Sequence, residues 1–183
     1  MERRPTKLSS ELKNFLSAAI EELSSPDPDF YLGEPYPCHL DETVTRLIDV
    51  YISSKPDQRL WIVEQLGDKY WSTFTCYAER MAIWAVRLKQ PELILKGLFA
   101  LALDDGRFDD REDILIMAPL YHSAVKLGID PKLLFLQAAA MAGPGLATAL
   151  RQFPDRPESN RNLASMGYSE TKGPEGFGYR RNW

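Results

Sequence analysis

The chain contains few of the residues on which catalytic and metal sites depend. It has two cysteines, Cys38 and Cys76, and two histidines, His39 and His122, among 183 residues. Two cysteines are too few for a disulfide scaffold or a zinc cage. Cys38 and His39 are neighbours in the chain, but a nucleophile and its base must share a hydrogen bond, and adjacent side chains usually point apart. We therefore predict structural roles for Cys38, His39 and His122, no catalytic residue and no cofactor.

Long hydrophobic runs and targeting segments are also missing. No apolar run reaches the length of about 20 residues that a membrane-spanning helix needs. The N-terminal sequence MERRPTKLSS lacks the apolar middle of a secretory signal. The net charge is −4, and no dense basic stripe of the kind that binds nucleic acid is present. These features predict a cytoplasmic protein that binds neither a membrane nor nucleic acid.

What is present is an ordinary globular composition, with 44% hydrophobic and 26% charged residues. A chain of this length buries about 70% of its surface on folding, which is enough for a hydrophobic core that needs no disulfide or metal site to stabilise it. The sequence divides into a frayed N-terminus at residues 1–8, a helical domain at residues 9–157 and a C-terminal tail at residues 158–183.

Apolar residues in the helical domain recur at spacings of three and four, as they do on one face of an α-helix. Capping, proline and glycine residues mark the predicted helix boundaries: Ser9 or Ser10, Asp41, Pro56, Gly67, Pro91, Asp110, Gly128, Asp130 and Gly143. The connections are short, so consecutive helices should pack as antiparallel hairpins. The predicted fold is all-α, an irregular array of antiparallel helical hairpins that is either HEAT-like or a bundle.

Three segments carry more specific predictions. The segment 71–89 should be the longest helix, and 93–103, which is apolar nearly all round, should be central and buried. Pro119 should kink or split the helix at residues 111–127. The tail alternates aromatic with small or polar residues, which predicts a short β-hairpin or a docked tail anchored by four aromatic residues: Tyr168, Phe177, Tyr179 and Trp183.

The stretch AERMAIWAVRLKQPELILKGLFALAL at residues 78–103, with the ending MGY…GFGYRRNW, resembles a bacterial family of unknown function. The resemblance covers roughly two thirds of the chain. It implies an all-helical bacterial cytoplasmic protein and offers no catalytic residues to transfer. A second, local likeness covers LALDDGRFDDRED at residues 101–113, which is similar to TerB-type tellurite-resistance domains, where an Asp-Gly turn precedes an acidic helix start.

The acidic turn at residues 104–113 is one candidate site. Asp105, Asp109 and Asp113 could supply oxygen ligands to a divalent cation. The turn is not an EF-hand, because Leu101 and Leu103 occupy two of the positions that such a loop uses as ligands. The simpler interpretation is that the acidic residues cap a helix N-terminus, where the helix dipole favours negative charge.

The second candidate site is a stripe on the longest helix. It consists of residues that each precede an apolar position by one: Tyr70, Tyr77, Arg80, Trp84 and Arg87. Tyr, Trp and Arg are enriched at binding hot spots, although the same stripe could pack on the proline-rich loop at residues 24–41 or on the tail. We predict a non-enzymatic helical protein-interaction module, an adaptor or immunity-type protein of a bacterial cytoplasm, whose partner is another protein. The alternative is a small-ligand or divalent-metal binding protein, or an enzyme, centred on the acidic turn.

Overall fold

The computed structural model describes residues 8–25, 40–104, 110–155, 168–173 and 176–181, with the backbone alone at 110–116 and in the last two ranges. The described part of the chain is all-α with one small hairpin, as predicted. Its helices are α1 (Ser10–Leu23), α2 (Leu40–Ser53), α3 (Pro56–Leu66), α4 (Trp71–Leu88), α5 (Glu92–Ala102), α6 (Asp110–Lys126), α7 (Pro131–Ala139) and α8 (Pro144–Gln152). A 3₁₀ turn (Phe153–Asp155) and strands β1 (Tyr168–Gly173) and β2 (Gly176–Arg181) follow.

Local chemistry places several helix ends where the sequence predicts them. Ser9 and Asp130 are N-caps whose side chains accept a backbone N–H from the first turns of α1 and α7. Pro56 occupies the first turn of α3, where a missing N–H costs nothing. Gly67 and Gly128 follow α3 and α6 with φ of 59° and 72°, a left-handed conformation that glycine adopts without a Cβ penalty.

Two predicted N-caps are wrong by one residue. Helix α2 begins at Leu40, so Asp41 lies in its first turn instead of capping it. Helix α6 begins at Asp110 itself, not at the residue after it. The same helix continues through Pro119 to Lys126, so the proline does not split it.

Helix α5 lies at the centre of the core, which confirms the prediction for 93–103. Ile94, Leu98 and Leu103 are completely buried, and α5 contacts α2, α4, α6 and α7. At Gly97 a Cβ would lie 2.6 Å from the Cδ2 atom of Leu120 on α6. The absence of a side chain at Gly97 therefore lets α6 approach α5 closely.

The predicted hairpin is present. Strands β1 and β2 are antiparallel, with Tyr168 opposite Arg181 and Gly173 opposite Gly176. The β2 backbone lies against α4 and α6, so the hairpin docks on the helical body. The proposed anchor Trp183 and the side chains of Tyr168, Phe177 and Tyr179 lie outside the described residues.

Candidate functional site

The two tyrosines of the predicted stripe lie in the core. The Tyr77 side chain is completely buried, and its hydroxyl is 2.9 Å from the hydroxyl of Thr45 on α2. Burial raises the pKa of Tyr77 to about 12, because the phenolate would lose its hydration. Tyr70 is 9% exposed, and its hydroxyl is 2.9 Å from that of Ser24 after α1. Neither tyrosine can present a ring to a partner, so their predicted binding role is corrected to a structural one.

Arg80 is held by a carboxylate from another helix. Its Nη2 atom donates to Oδ1 of Asp41 at 2.6 Å, and its Nε atom is 3.1 Å from Oδ2. The side chains of Arg80 and Asp41 are only 14% and 16% exposed. This two-pronged geometry is the strong form of an arginine–carboxylate pair. The ion pair joins the start of α2 to the middle of α4.

Trp84 and Arg87 form the accessible end of the stripe. The Arg87 guanidinium carbon lies 5.1 Å from the centre of the Trp84 ring, a cation–π contact. Leu88 on the same turn is 50% exposed. Residues three and four apart share one face of a helix, so Trp84, Arg87 and Leu88 form one patch, which we call the Trp84 surface.

The buried face of α4 differs from the apolar seam that a spacing of three and four predicts on this helix, which consists of Trp71, Phe74, Ala78, Met81, Ala85 and Leu88. Trp71 and Met81 are only half-buried and Leu88 is exposed, although the spacing placed all three in the seam. The buried set keeps three of the predicted positions, Phe74, Ala78 and Ala85, and adds three residues that lie between them, Thr75, Tyr77 and Ala82. Helix α4 contacts α2, α5, α6 and β2, so neighbours cover it on more than one side.

The acidic turn is described only at its ends. Asp104 is buried, with 5% exposure, directly after α5. Asp105 and Asp109 lie outside the described residues, and Asp113 is described only as backbone of α6. No group of three or more His, Cys, Asp or Glu side chains that could hold a metal occurs among the residues with described side chains. The cation-site prediction for Asp105, Asp109 and Asp113 stays a prediction.

The remaining candidates for reactive chemistry are the two cysteines and the two histidines. Cys38 and His39 lie outside the described residues. Cys76 is half-buried on α4, and desolvation is the main cause that raises the pKa of its thiol, so the neutral form is favoured. His122 is half-buried, and its ring lies edge-on to Tyr121 at 5.5 Å.

Sequence reasoning missed a pocket between α3 and the turn that joins α7 to α8. The pocket has a volume of about 250 Å³ and is lined by Arg59 and Tyr51 together with mainly apolar residues. The Tyr51 hydroxyl donates to the carbonyl of Met141 across the pocket. No local motif marks such a site, because its walls come from segments about 80 residues apart in the chain.

Comparison of the chain with protein-family models, with curated proteins and with solved structures finds no match. Within the described ranges, no helix is long and apolar enough to cross a membrane.

Proposed function

We propose that the protein is a non-enzymatic helical protein-interaction module, an adaptor or immunity-type protein, that binds a partner protein through the Trp84 surface. The observation that carries the proposal is the stacked pair of Trp84 and Arg87 beside the half-exposed Leu88. Trp and Arg are the residue types most enriched at binding hot spots, and leucine adds apolar area around them. A bacterial cytoplasm is part of the proposal and is supported by the family resemblance and the scarcity of cysteine.

The fold supports a rigid presentation of this surface. Stacking fixes the Arg87 guanidinium against the indole ring, so less side-chain conformational entropy is lost when a partner binds. One turn earlier, the Arg80–Asp41 pair joins α4 to α2 and limits movement of the helix that carries the patch. The complementary partner surface would have an apolar groove for Trp84 and Leu88 and a carboxylate for Arg87.

Site-specific photo-crosslinking tests the proposal. A photoreactive phenylalanine analogue replaces Leu88, and the matched control places it at Leu133 on α7, which is exposed to a similar degree, 59% against 50%. In cells of the source organism, we expect a defined crosslinked partner from position 88 and none of the same mass from position 133. Equal products from both positions would contradict the proposal.

The identified partner then allows a quantitative test. Trp84→Ala should weaken binding by about 2 kcal/mol or more, roughly thirtyfold, which is the hot-spot threshold. Arg87→Ala should weaken it in the same direction, and the unfolding transition of both variants should stay close to wild type. Unchanged affinity of both variants for the purified partner would exclude this surface as the binding site.

A further inference from the structure

We propose that the pocket between α3 and the α7–α8 turn binds a small carboxylic acid whose apolar body is about the size of one aromatic ring. The site is separate from the Trp84 surface, and the inference does not depend on the proposed function. It is carried by three features that meet in one place: the cavity, the Arg59 side chain that lines it and the apolar residues around it.

The size of the cavity favours a small ligand. Drug-sized ligands occupy pockets of about 300–1,000 Å³, and a cavity of about 150 Å³ accepts benzene. A volume of about 250 Å³ lies between these limits. Pro56, Leu60 and Val63 form one wall and Ala140 and Ala142 the other, so the body of the ligand must be apolar.

Arg59 supplies the charge that selects a carboxylate. Its Nε and Nη2 atoms donate to the carbonyl oxygens of Tyr51 and Ile52 at 3.0 and 3.2 Å, and its guanidinium carbon lies 5.7 Å from the centre of the Tyr51 ring. A guanidinium has five N–H groups in a rigid fork. The two carbonyl contacts use two of them and hold the fork in place. In the proposed complex, its other N–H groups donate to the oxygens of the ligand carboxylate, for which arginine is the preferred planar partner.

The pocket is held open by contacts that do not need a ligand. The hydrogen bond from Tyr51 to the Met141 carbonyl joins α2 to the α7–α8 turn, while Arg59 joins α3 to the end of α2. Both walls are therefore fixed in the unliganded chain. Little binding free energy is lost in ordering a preformed site, so even a small acid should bind measurably.

A titration followed by amide NMR on the full chain tests the proposal, with 3-phenylpropionate as the probe. We expect saturable shifts at Leu60, Val63 and Gly143 with a dissociation constant in the millimolar range, as suits a ligand of about eleven heavy atoms. The uncharged 3-phenylpropanamide has the same apolar body and should bind about tenfold more weakly, because it lacks the negative charge that pairs with the Arg59 guanidinium.

Three variants separate the proposal from a purely structural role of Arg59. Arg59→Gln should weaken 3-phenylpropionate binding about tenfold, and Arg151→Gln, which removes an equal charge from the exposed last turn of α8, should leave it unchanged. Ala140→Phe keeps Arg59 but fills the pocket from its exposed rim, so it should abolish the shifts even if Arg59→Gln fails to fold.

Any one of the following results would overturn the assignment. One is the absence of saturable shifts up to about 20 mM probe, which is well above the range expected for such a ligand. The others are equal binding of the amide, unchanged binding in Ala140→Phe, and shifts centred on Trp84. Binding of acetyl-Phe-Asp-amide without binding of the free acid would also overturn it, since the pocket would then serve a peptide. Arg59 would in that case be a clamp on α2 or part of a protein interface.

Discussion

At the scale of single residues, the two arginines of the stripe on α4 have different roles. Arg80 is mostly buried in its pair with Asp41, whereas Arg87 is exposed on Trp84. Arg80→Ala should lower the free energy of unfolding by roughly 2–3 kcal/mol, because it leaves the Asp41 carboxylate without its charged partner in a poorly solvated position. Arg87→Ala, the matched control, should change it by less than about 0.5 kcal/mol, as surface substitutions usually do.

Urea unfolding at neutral pH measures both changes. The double variant Asp41→Ala/Arg80→Ala should lose less than the sum of its single variants, which is the mark of a direct interaction. If Arg80→Ala is as stable as Arg87→Ala, the pair contributes nothing to the fold, and Arg80 returns to the set of candidate binding residues.

Tyr77 should make stability depend on alkaline pH. Its folded pKa of about 12 lies above the value of about 10 in an unfolded chain. The contribution of its burial is therefore complete below pH 10 and is lost as pH rises toward 12, because the unfolded chain releases the proton first. By pH 11.5 wild type should lose about 2 kcal/mol more than Tyr77→Phe, which has no proton to release. Unfolding curves measured from pH 8 to 11.5 check this, and parallel losses in both proteins would contradict it.

At the scale of helices and strands, the contact at Gly97 sets the distance between α5 and α6. In Gly97→Ala the new Cβ would lie 2.6 Å from Leu120 Cδ2 and 3.4 Å from the carbonyl oxygen of Ala78. Alanine gains about 1 kcal/mol in helix propensity, but crowding a packed core costs about 1–3 kcal/mol. Leu120 is completely buried, so we expect crowding to win and stability to fall by about 1–2 kcal/mol.

Gly145 is the matched control for this prediction. It also lies in a helix, but a Cβ there would meet nothing within 4 Å. Gly145→Ala should therefore be neutral or slightly stabilising. Denaturant unfolding of the two variants measures the difference. Equal effects at both glycines would show that helix propensity alone determines the change in stability.

Helix boundaries were more predictable than helix faces. Ser9, Pro56, Gly128 and Asp130 act within one turn of the chain, so their local chemistry could be recognised in the sequence. The face of α4 could not, because spacing identifies one apolar stripe, while the contacts of this helix bury a second set of residues beside it. Spacing alone therefore assigns Tyr77 to the surface, whereas it is completely buried.

The two candidate sites also differ in how well the sequence predicts them. The Trp84 and Arg87 pair could be named in advance, because residues three apart on a helix are neighbours whatever the tertiary structure. The pocket could not, because Arg59 and Ala140 meet only after α3 and the α7–α8 turn have packed together. Sequence patterns therefore indicate sites within one helix far better than sites built between helices.

At the scale of the whole molecule, helices α4 and α5 form the centre, and the C-terminal hairpin packs against part of α4. Helix α1 packs chiefly on α2 at one side, and β2 reaches back to α4 and α6. Segments with many buried contacts should exchange their amide hydrogens slowest. The slowest exchange is therefore expected in α5 and the central turns of α4.

Truncation after residue 167, which removes both strands, should uncover the part of α4 and α6 against which β2 packs. We expect the melting temperature to fall by roughly 5 °C or more, which corresponds to about 2 kcal/mol for a chain of this size. Amide exchange should rise in α4 and α6 but not in α1, which has no contact with the strands among the principal packing pairs. Truncation after Arg181 keeps both strands and removes only the proposed anchor Trp183 with Asn182, so it should lower the melting temperature less than the longer truncation does. If the longer truncation alters neither melting nor exchange, the hairpin does not support the helical body, and α4 is stabilised by its helical neighbours alone.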